Sequence, residues 1–330
     1  MVDAAALGTA LTRLITVALL VCAAVRPAAA ADRYAVIISG ANGEPQYAEQ
    51  YATWRQSLVQ TLVTTMTIDP SRVSVLFDGA DPAHAANAAN VRRVFAALRT
   101  RMRADDVALV VLIGHGTFDG VDAKFNLVGP DLTSTEWAAL VAPLAGRVVL
   151  VDTTAASFPF LEHLAGPRRI VVTATDSAAQ RYDTVFAEYF VRALGDTAAD
   201  LDKNGRVSIW EAFLSASLGV RRYYEGRGQL ATERALLDDD GDGRGREAGA
   251  EGTDGSASSR VYLDPQTADA VPTDEELLAL LQKRAALEVD ADELKQRRPL
   301  MTPQEYEKEF ENLMIELAKT TRDIKRRQKT

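Results

Sequence analysis

Apolar runs recur through the first half of the chain, separated by segments about as long as a helix. The runs lie at 34–39, 72–78, 107–113, 147–151 and 169–174. The run at 107–113 has seven consecutive apolar residues, which is typical of a strand buried on both faces of a parallel sheet. We therefore predict five strands, and the other elements of the domain are arranged around the third.

The segments between these runs have apolar residues at helical spacing. We predict helices over 47–66, 88–102 and 133–144, with a short helix around 160–164. Thr133 and Glu136 have the spacing of a capping box, which marks the start of the third helix. Strands that alternate with helices in this way predict a three-layer α/β domain with a mostly parallel sheet.

A histidine follows the third predicted strand directly, in the sequence Gly114-His115-Gly116. In open α/β sheets the carboxyl ends of the strands border the crevice in which ligands bind. His115 is therefore a candidate functional residue. The alternative is a tight turn that carries an imidazole without a function.

The amino-terminal segment has the features of a secretory signal peptide. Arg13 precedes an apolar run over 14–25, and small residues surround Ala30 and Ala31, where we predict cleavage. Residues 1–31 are thus predicted to direct export to the periplasm or beyond, leaving a product that is not an integral membrane protein. Cys22, inside this segment, is the only cysteine of the chain, so the exported part has no disulfide and no thiol nucleophile.

Charge excludes one class of partner. The chain has a formal net charge of −9, and its basic residues form no stripe except at the carboxyl-terminal end. Nucleic-acid binding proteins need such a stripe to neutralise phosphates. We therefore expect no nucleic-acid partner.

Residues 200–211 have the spacing of a calcium-binding loop of the EF-hand type. Oxygen-bearing side chains stand at loop positions one, three, five and nine, Gly205 at position six allows a sharp turn, and a glutamate at position twelve can chelate with both oxygens. Position seven would contribute a backbone carbonyl. The predicted calcium ligands are Asp200, Asp202, Asn204, the carbonyl of Arg206, Ser208 and Glu211.

A second acidic segment, 238–249, repeats the first half of such a loop. Asp238, Asp240 and Asp242 stand at positions one, three and five, whereas Gly249 stands where the glutamate is needed. The segment is either a degenerate calcium site or a solvated turn.

The carboxyl-terminal part differs from the rest. After a linker at 265–272, helix-start signals at Thr273 and Thr302 and two apolar stripes predict a helical hairpin over 273–330. The stripes pack on each other or on the main domain, or they form a coiled coil with a protein partner.

The region 32–264 resembles the caspase and legumain superfamily of cysteine peptidases, especially bacterial members with acidic calcium-type loops after the last core strand. The segments that carry this resemblance are 34–40, 112–116, 148–152 and 170–175. In that family the histidine after the third strand pairs with a cysteine just beyond the fourth. Here the fourth strand ends at Asp152, which is a further candidate catalytic residue. The cysteine position falls on Thr154, or on Ala155 if the register slips by one.

The resemblance implies a crevice that has kept its histidine and lost its thiol. Threonine and serine hydroxyls need a base to become nucleophilic, whereas a thiol is already partly ionised near neutral pH. We therefore expect a pseudo-peptidase that acts by binding or regulation, with a protein or peptide partner. The alternative is a hydrolase that uses Thr154 or Ser157 with His115.

Overall fold

The computed structural model describes residues 31–180, 182–264, 275–298 and 301–327. The predicted signal peptide, the linker at 265–272 and the helix start at Thr273 lie outside these residues.

The described residues form a main sheet of seven strands and a separate small sheet of three. The main sheet consists of β1 (Arg33–Ser39), β2 (Val73–Phe77), β3 (Val107–Ile113), β7 (Arg147–Asp152), β8 (Arg169–Thr173), β9 (Leu236–Asp238) and β10 (Arg246–Glu247). The small antiparallel sheet consists of β4 (Gly116–Phe118), β5 (Ala123–Phe125) and β6 (Leu132–Thr133). It lies between the third strand of the main sheet and the third helix along the chain.

The strand order in the main sheet is β10-β9-β8-β7-β3-β1-β2. Five neighbouring strands, in the spatial order β8-β7-β3-β1-β2, pair in parallel, which confirms the predicted mostly parallel sheet. Strands β9 and β10 add an antiparallel edge that the apolar pattern did not predict. They are too short for a pattern to emerge, because β10 has only two residues.

Eight α-helices in the described residues accompany these strands. They are α1 (Pro45–Gln60), α2 (Ala88–Arg101), α3 (Ser134–Val141), α4 (Phe158–Leu164), α5 (Phe186–Gly195), α6 (Ile209–Glu225), α7 (Glu275–Arg297) and α8 (Pro303–Arg327). The capping box of Thr133 and Glu136 at the start of α3 is confirmed. Helix α3 ends at Val141 rather than at the predicted residue 144.

Two hydrophobic cores, one on each face of the sheet, confirm the three-layer architecture. In β1, Ala35 and Ile37 point to one core while Val36 and Ile38 point to the other, because successive side chains of a strand face opposite sides. Helices α1, α5 and α6 cover the first core, and α2, α3 and α4 cover the second.

Helices α7 and α8 form the predicted hairpin. Lys283 pairs with Glu316 at 3.0 Å and Arg297 pairs with Glu309 at 3.3 Å, so later positions in α7 meet earlier positions in α8 and the helices run antiparallel. Leu294 of α7 and Ile324 of α8 are buried, and α7 also contacts α6. None of the helices described here has both the length and the apolar character needed to span a membrane.

Candidate functional site

The crevice at the carboxyl ends of β1 and β3 contains the predicted histidine. The chain leaves β1 toward β2 on one side, whereas β3 pairs on the other side, so the sheet has its topological switch point here. A cavity of about 60 Å³ opens at this edge. Its lining includes Tyr47, Tyr51, His115, Thr153, Ala155 and Asp183.

Two tyrosines and an aspartate hold the His115 imidazole. The Tyr51 hydroxyl lies 3.1 Å from Nε2, and Asp183 Oδ1 lies 3.7 Å from Nδ1. The Tyr47 ring meets the imidazole edge to face at 4.6 Å between centroids, and the Tyr47 hydroxyl donates to Asp183. Both ring nitrogens of His115 therefore face polar groups, and among the described residues neither nitrogen is hydrogen-bonded to a serine or threonine hydroxyl.

Burial raises the pKa of the Tyr51 hydroxyl above its usual value, so this group keeps its proton at neutral pH. When it donates to Nε2, the imidazole proton is on Nδ1 and points toward Asp183. This arrangement can orient an imidazole and pass a proton, but it supplies no attacking atom.

The side chain of Thr154 lies against the turn that carries His115. A Cβ added to Gly116 would come within 2.4 Å of the Thr154 Oγ1, so only glycine allows this close approach. The Oγ1 atom is buried and forms no hydrogen bond within the described residues. The Ser157 hydroxyl lies 3.0 Å from that of Thr175. The pairing of Thr154 or Ser157 with His115, which the hydrolase alternative needs, is therefore not formed.

Asp152 ends β7 in the protein interior and is not part of the crevice wall. Its Oδ1 accepts a hydrogen bond from the Thr154 backbone N–H at 2.9 Å, whereas Oδ2 has no partner within the described residues. Burial raises the pKa of this carboxyl to about 7. Asp152 thus supports the turn after β7 rather than facing a substrate.

The predicted calcium loop gathers carboxylates around one point. Asp200, Asp202 and Glu211 each offer an oxygen within 4.8 Å of the others, an arrangement that can hold a metal ion. Gly205 has a φ of +85°, as the sharp turn at position six requires. Asn204 Oδ1 accepts from the Arg206 backbone N–H at 2.9 Å, which keeps position five inside the loop.

Glu211 links the two ends of this loop. Its Oε1 accepts from the backbone N–H groups of Leu201 and Asp202, at 2.9 and 3.2 Å. Its Oε2 accepts from the backbone and the hydroxyl of Ser208, both at 2.8 Å. The predicted ligand Ser208 therefore acts as the amino-terminal cap of α6.

Burial raises the pKa of Asp202 to about 7, and the negative charge of Glu211 contributes to this rise. Burial likewise raises the pKa of Glu211. Carboxylates that are buried together are costly when ionised, and a cation among them would offset this cost.

The segment that follows the second acidic loop anchors the first loop. The Ile209 N–H donates to the Val261 carbonyl at 3.0 Å, and Asn204 Nδ2 donates to the Tyr262 hydroxyl at 3.0 Å. The Arg206 guanidinium donates through Nε to both carboxylate oxygens of Asp264 at 2.9 and 2.8 Å. The Arg206 side chain is thus structural, and its carbonyl is the group predicted to bind the cation.

The second acidic loop has the same hydrogen-bond pattern. Asp238, Asp240 and Asp242 each offer an oxygen within 4.8 Å of the others, and Gly243 at position six has a φ of +77°. The Asp254 Oδ1 accepts from the backbone N–H groups of positions two and three, at 2.8 and 3.4 Å. Glu211 accepts from the same two positions of the first loop. Asp254 therefore accepts the backbone N–H groups in the second loop that correspond to those Glu211 accepts in the first.

Sequence reasoning missed Asp254 because it lies beyond the twelve-residue spacing of the motif. It also missed Tyr47, Tyr51 and Asp183. The four-residue spacing of the tyrosines after the first strand was a usable signal, since it places both rings on one face of α1. Asp183 had no such pattern, because it lies outside helices and strands.

The fold and the crevice define an α/β protein with a histidine at the switch point of its sheet. No family model and no curated protein matches the chain. A structural-genomics protein from Geobacter sulfurreducens matches at 13% identity and a TM-score of 0.41, over 63% of this chain and 92% of its own. Caspase-1 from Spodoptera frugiperda matches at 8% identity and a TM-score of 0.40, over 64% of this chain and 87% of its own.

The raised pKa of the Asp152 carboxyl predicts how the free energy of unfolding depends on pH. Its pKa of about 7 lies above the value of about 4 expected in the unfolded chain, so the folded state binds more protons between these values. The free energy of unfolding should therefore fall as the pH rises from about 4 to 7. Asp152→Asn should make this fall smaller, because other buried carboxyls such as Glu233 also contribute to it. Relative to the parent protein, the variant should gain about 2 to 4 kcal/mol between pH 4 and pH 8.

Urea unfolding across this pH range measures the effect. The control is Asp105→Asn, at an exposed carboxyl before β3, which should leave the pH dependence unchanged. Equal pH dependence in the parent protein and in Asp152→Asn would mean that the buried carboxyl is ionised throughout.

Proposed function

We propose that this chain is an exported calcium-binding protein with a caspase- or legumain-like domain that binds a protein or peptide without cleaving it. The observation that carries the proposal is the convergence of Asp200, Asp202 and Glu211 in a loop of EF-hand spacing. The signal peptide predicted at 1–31 supports export.

Calcium suits the first loop better than other common cations. All its candidate ligands are oxygens, and the loop can supply a bidentate glutamate and a backbone carbonyl, which suits the six to eight ligands of Ca²⁺. Mg²⁺ prefers a strict octahedron and keeps several waters, so it gains less from such a loop. An exported protein also meets more calcium than a cytosolic one, which favours a structural site of moderate affinity.

The second loop is a weaker calcium site completed by Asp254. Asp238, Asp240 and Asp242 supply the first half. Asp254, which accepts from the backbone N–H groups of Asp239 and Asp240, would supply the carboxylate at the closing position. An aspartate is shorter than a glutamate and it arrives from a different part of the chain. We therefore assign this loop a lower calcium affinity than the first.

Three features of the crevice support binding without cleavage. Outside the predicted signal peptide the chain has no cysteine. The Thr154 hydroxyl is buried against Gly116, and the His115 nitrogens face Tyr51 and Asp183. The crevice therefore keeps a shaped wall and an oriented imidazole, both of which can contact a peptide.

Glu211→Gln tests the first loop. Isothermal titration of the protein lacking residues 1–31 should give two calcium sites, and Glu211→Gln should weaken the tighter one at least about tenfold because one charge and the bidentate ligand are lost. Glu188→Gln, on α5, is the control and should keep both sites. If the parent protein gives no calcium signal, the calcium assignment fails.

Asp254→Asn tests the second loop separately. The variant should lose the weaker of the two calcium sites and keep the tighter one. Glu251→Gln, an exposed neighbour outside the acidic cluster, should bind calcium like the parent protein. If Asp254→Asn keeps both sites with unchanged affinity, Asp254 is not the closing ligand.

Hydrolysis of a mixed peptide library tests the absence of catalysis. We expect the parent protein, with and without calcium, to release no more product than His115→Ala or Thr154→Val. The valine variant keeps the shape of Thr154 and removes only the hydroxyl. Cleavage by the parent protein that is lost in both variants would show that a hydroxyl has replaced the thiol.

A further inference from the structure

A second concave surface lies away from the His115 crevice, and one residue of the first acidic loop, Leu201, contributes to its lining. It is a groove of about 820 Å³ between α5 and α6, which the described residues of these helices and their adjoining turns line. Two rows of residues at four-residue spacing run along α6, namely Leu214, Leu218 and Arg222 beside Ser215, Gly219 and Tyr223. Rows of this spacing are the ridges and grooves into which another helix packs.

Gly219 of α6 allows α5 to approach closely, because it has no side chain. The Tyr189 ring of α5 packs directly on this glycine, since an added Cβ would come within 2.2 Å of the Tyr189 Cδ1. A glycine inside a helix costs about 1 kcal/mol relative to alanine, and here the close approach of the ring accounts for its presence. Leu201 and Leu218 are half-buried, so the floor that they line is partly apolar.

The rim of the groove is basic, in contrast to the chain as a whole. The described lining residues include Arg192 and Arg227 beside one acidic residue, Asp196, whereas the chain has a net charge of −9. Such a local reversal of charge favours an acidic partner.

Both of these arginines are held in place by aromatic rings. The Arg192 guanidinium carbon lies 4.7 Å from the centre of the Tyr189 ring, and that of Arg227 lies 3.6 Å from the centre of the Tyr223 ring. A stacked guanidinium keeps N–H groups at its edge that can bind a carboxylate with little further loss of conformational entropy.

We propose that this groove docks an acidic amphipathic helix of a partner protein. The apolar face of that helix would cover Leu201 and Leu218, and glutamates flanking it would reach the arginines of the rim. The rows on α6 extend from Leu214 to Tyr223, about 14 Å at 1.5 Å per residue, which matches two to three turns of a bound helix. This surface is separate from the His115 crevice, and the proposal does not depend on the proposed function.

Fluorescence anisotropy with two synthetic peptides tests the proposal. Both are about 18 residues long, with leucines at i, i+3, i+4 and i+7 spacing; one has glutamates flanking the leucines and the other has lysines at the same positions. The proteins are the parent chain without residues 1–31, the double variant Arg192→Glu with Arg227→Glu, and Ser215→Trp, all at saturating calcium. The control is Arg99→Glu, an exposed charge reversal on α2 across the sheet.

The glutamate peptide should bind the parent protein and Arg99→Glu alike, and the lysine peptide should bind neither. The double variant should weaken binding at least tenfold, and added salt should weaken it further. Ser215→Trp, which fills the groove without changing charge, should also weaken binding and tests the shape even if the double variant does not fold.

Two results would overturn the proposal. One is a glutamate peptide that binds the parent protein and both groove variants equally, or that does not bind at all. The other is that the parent protein does not bind the glutamate peptide but does bind phosphatidylglycerol vesicles. The arginines would then contact a lipid surface.

Discussion

The structure depends on the complete burial of β3 between two apolar layers. All seven of its residues are buried, so no polar side chain can lie along its length without an unmet hydrogen bond. Polar side chains with a possible function therefore lie beyond the end of the strand, in the turn that contains His115. Glycines make that turn possible, because a Cβ on Gly40 would lie 2.2 Å from the Asn126 carbonyl and one on Gly116 would meet Thr154. The crevice is thus a consequence of how tightly the strand ends are packed.

The same burial explains how much of the fold the sequence predicts. Strands that are covered on both faces must be continuous apolar runs, and the five runs correspond to β1, β2, β3, β7 and β8. Local signals also sufficed for the capping box at Thr133 and for the carboxylates of the first acidic loop. Contacts between distant segments left no local pattern: Asp183 reaches His115 and Asp254 reaches Asp239 only because the chain folds back. The edge strands β9 and β10 are set by pairing with β8 rather than by their own sequence.

Buried carboxyl groups occur in this protein in two different settings. Asp152 is an isolated carboxyl, and Glu233 accepts backbone N–H groups of Val185 and Phe186 at the start of α5. A single proton can therefore neutralise each of these two groups. Burial raises the pKa of Glu233 to about 7, as it does for Asp152. In the two acidic loops several carboxylates meet, and one proton cannot balance them all. Similar pKa shifts therefore have different meanings, because a lone buried carboxyl favours protonation whereas a converging set favours a divalent cation.

Helix α5 connects the His115 crevice, the first acidic loop and the groove. Asp183 and Thr184, just before its first residue, contact His115 and the Thr153 carbonyl in the crevice. Beyond its last residue the chain enters the acidic loop at Asp200, and its outer face supplies Tyr189 and Arg192 to the groove. A cation in the loop would fix one end of a helix whose other end orients the imidazole. Because Leu201 both lines the groove and donates to Glu211, the same cation would also fix the groove floor.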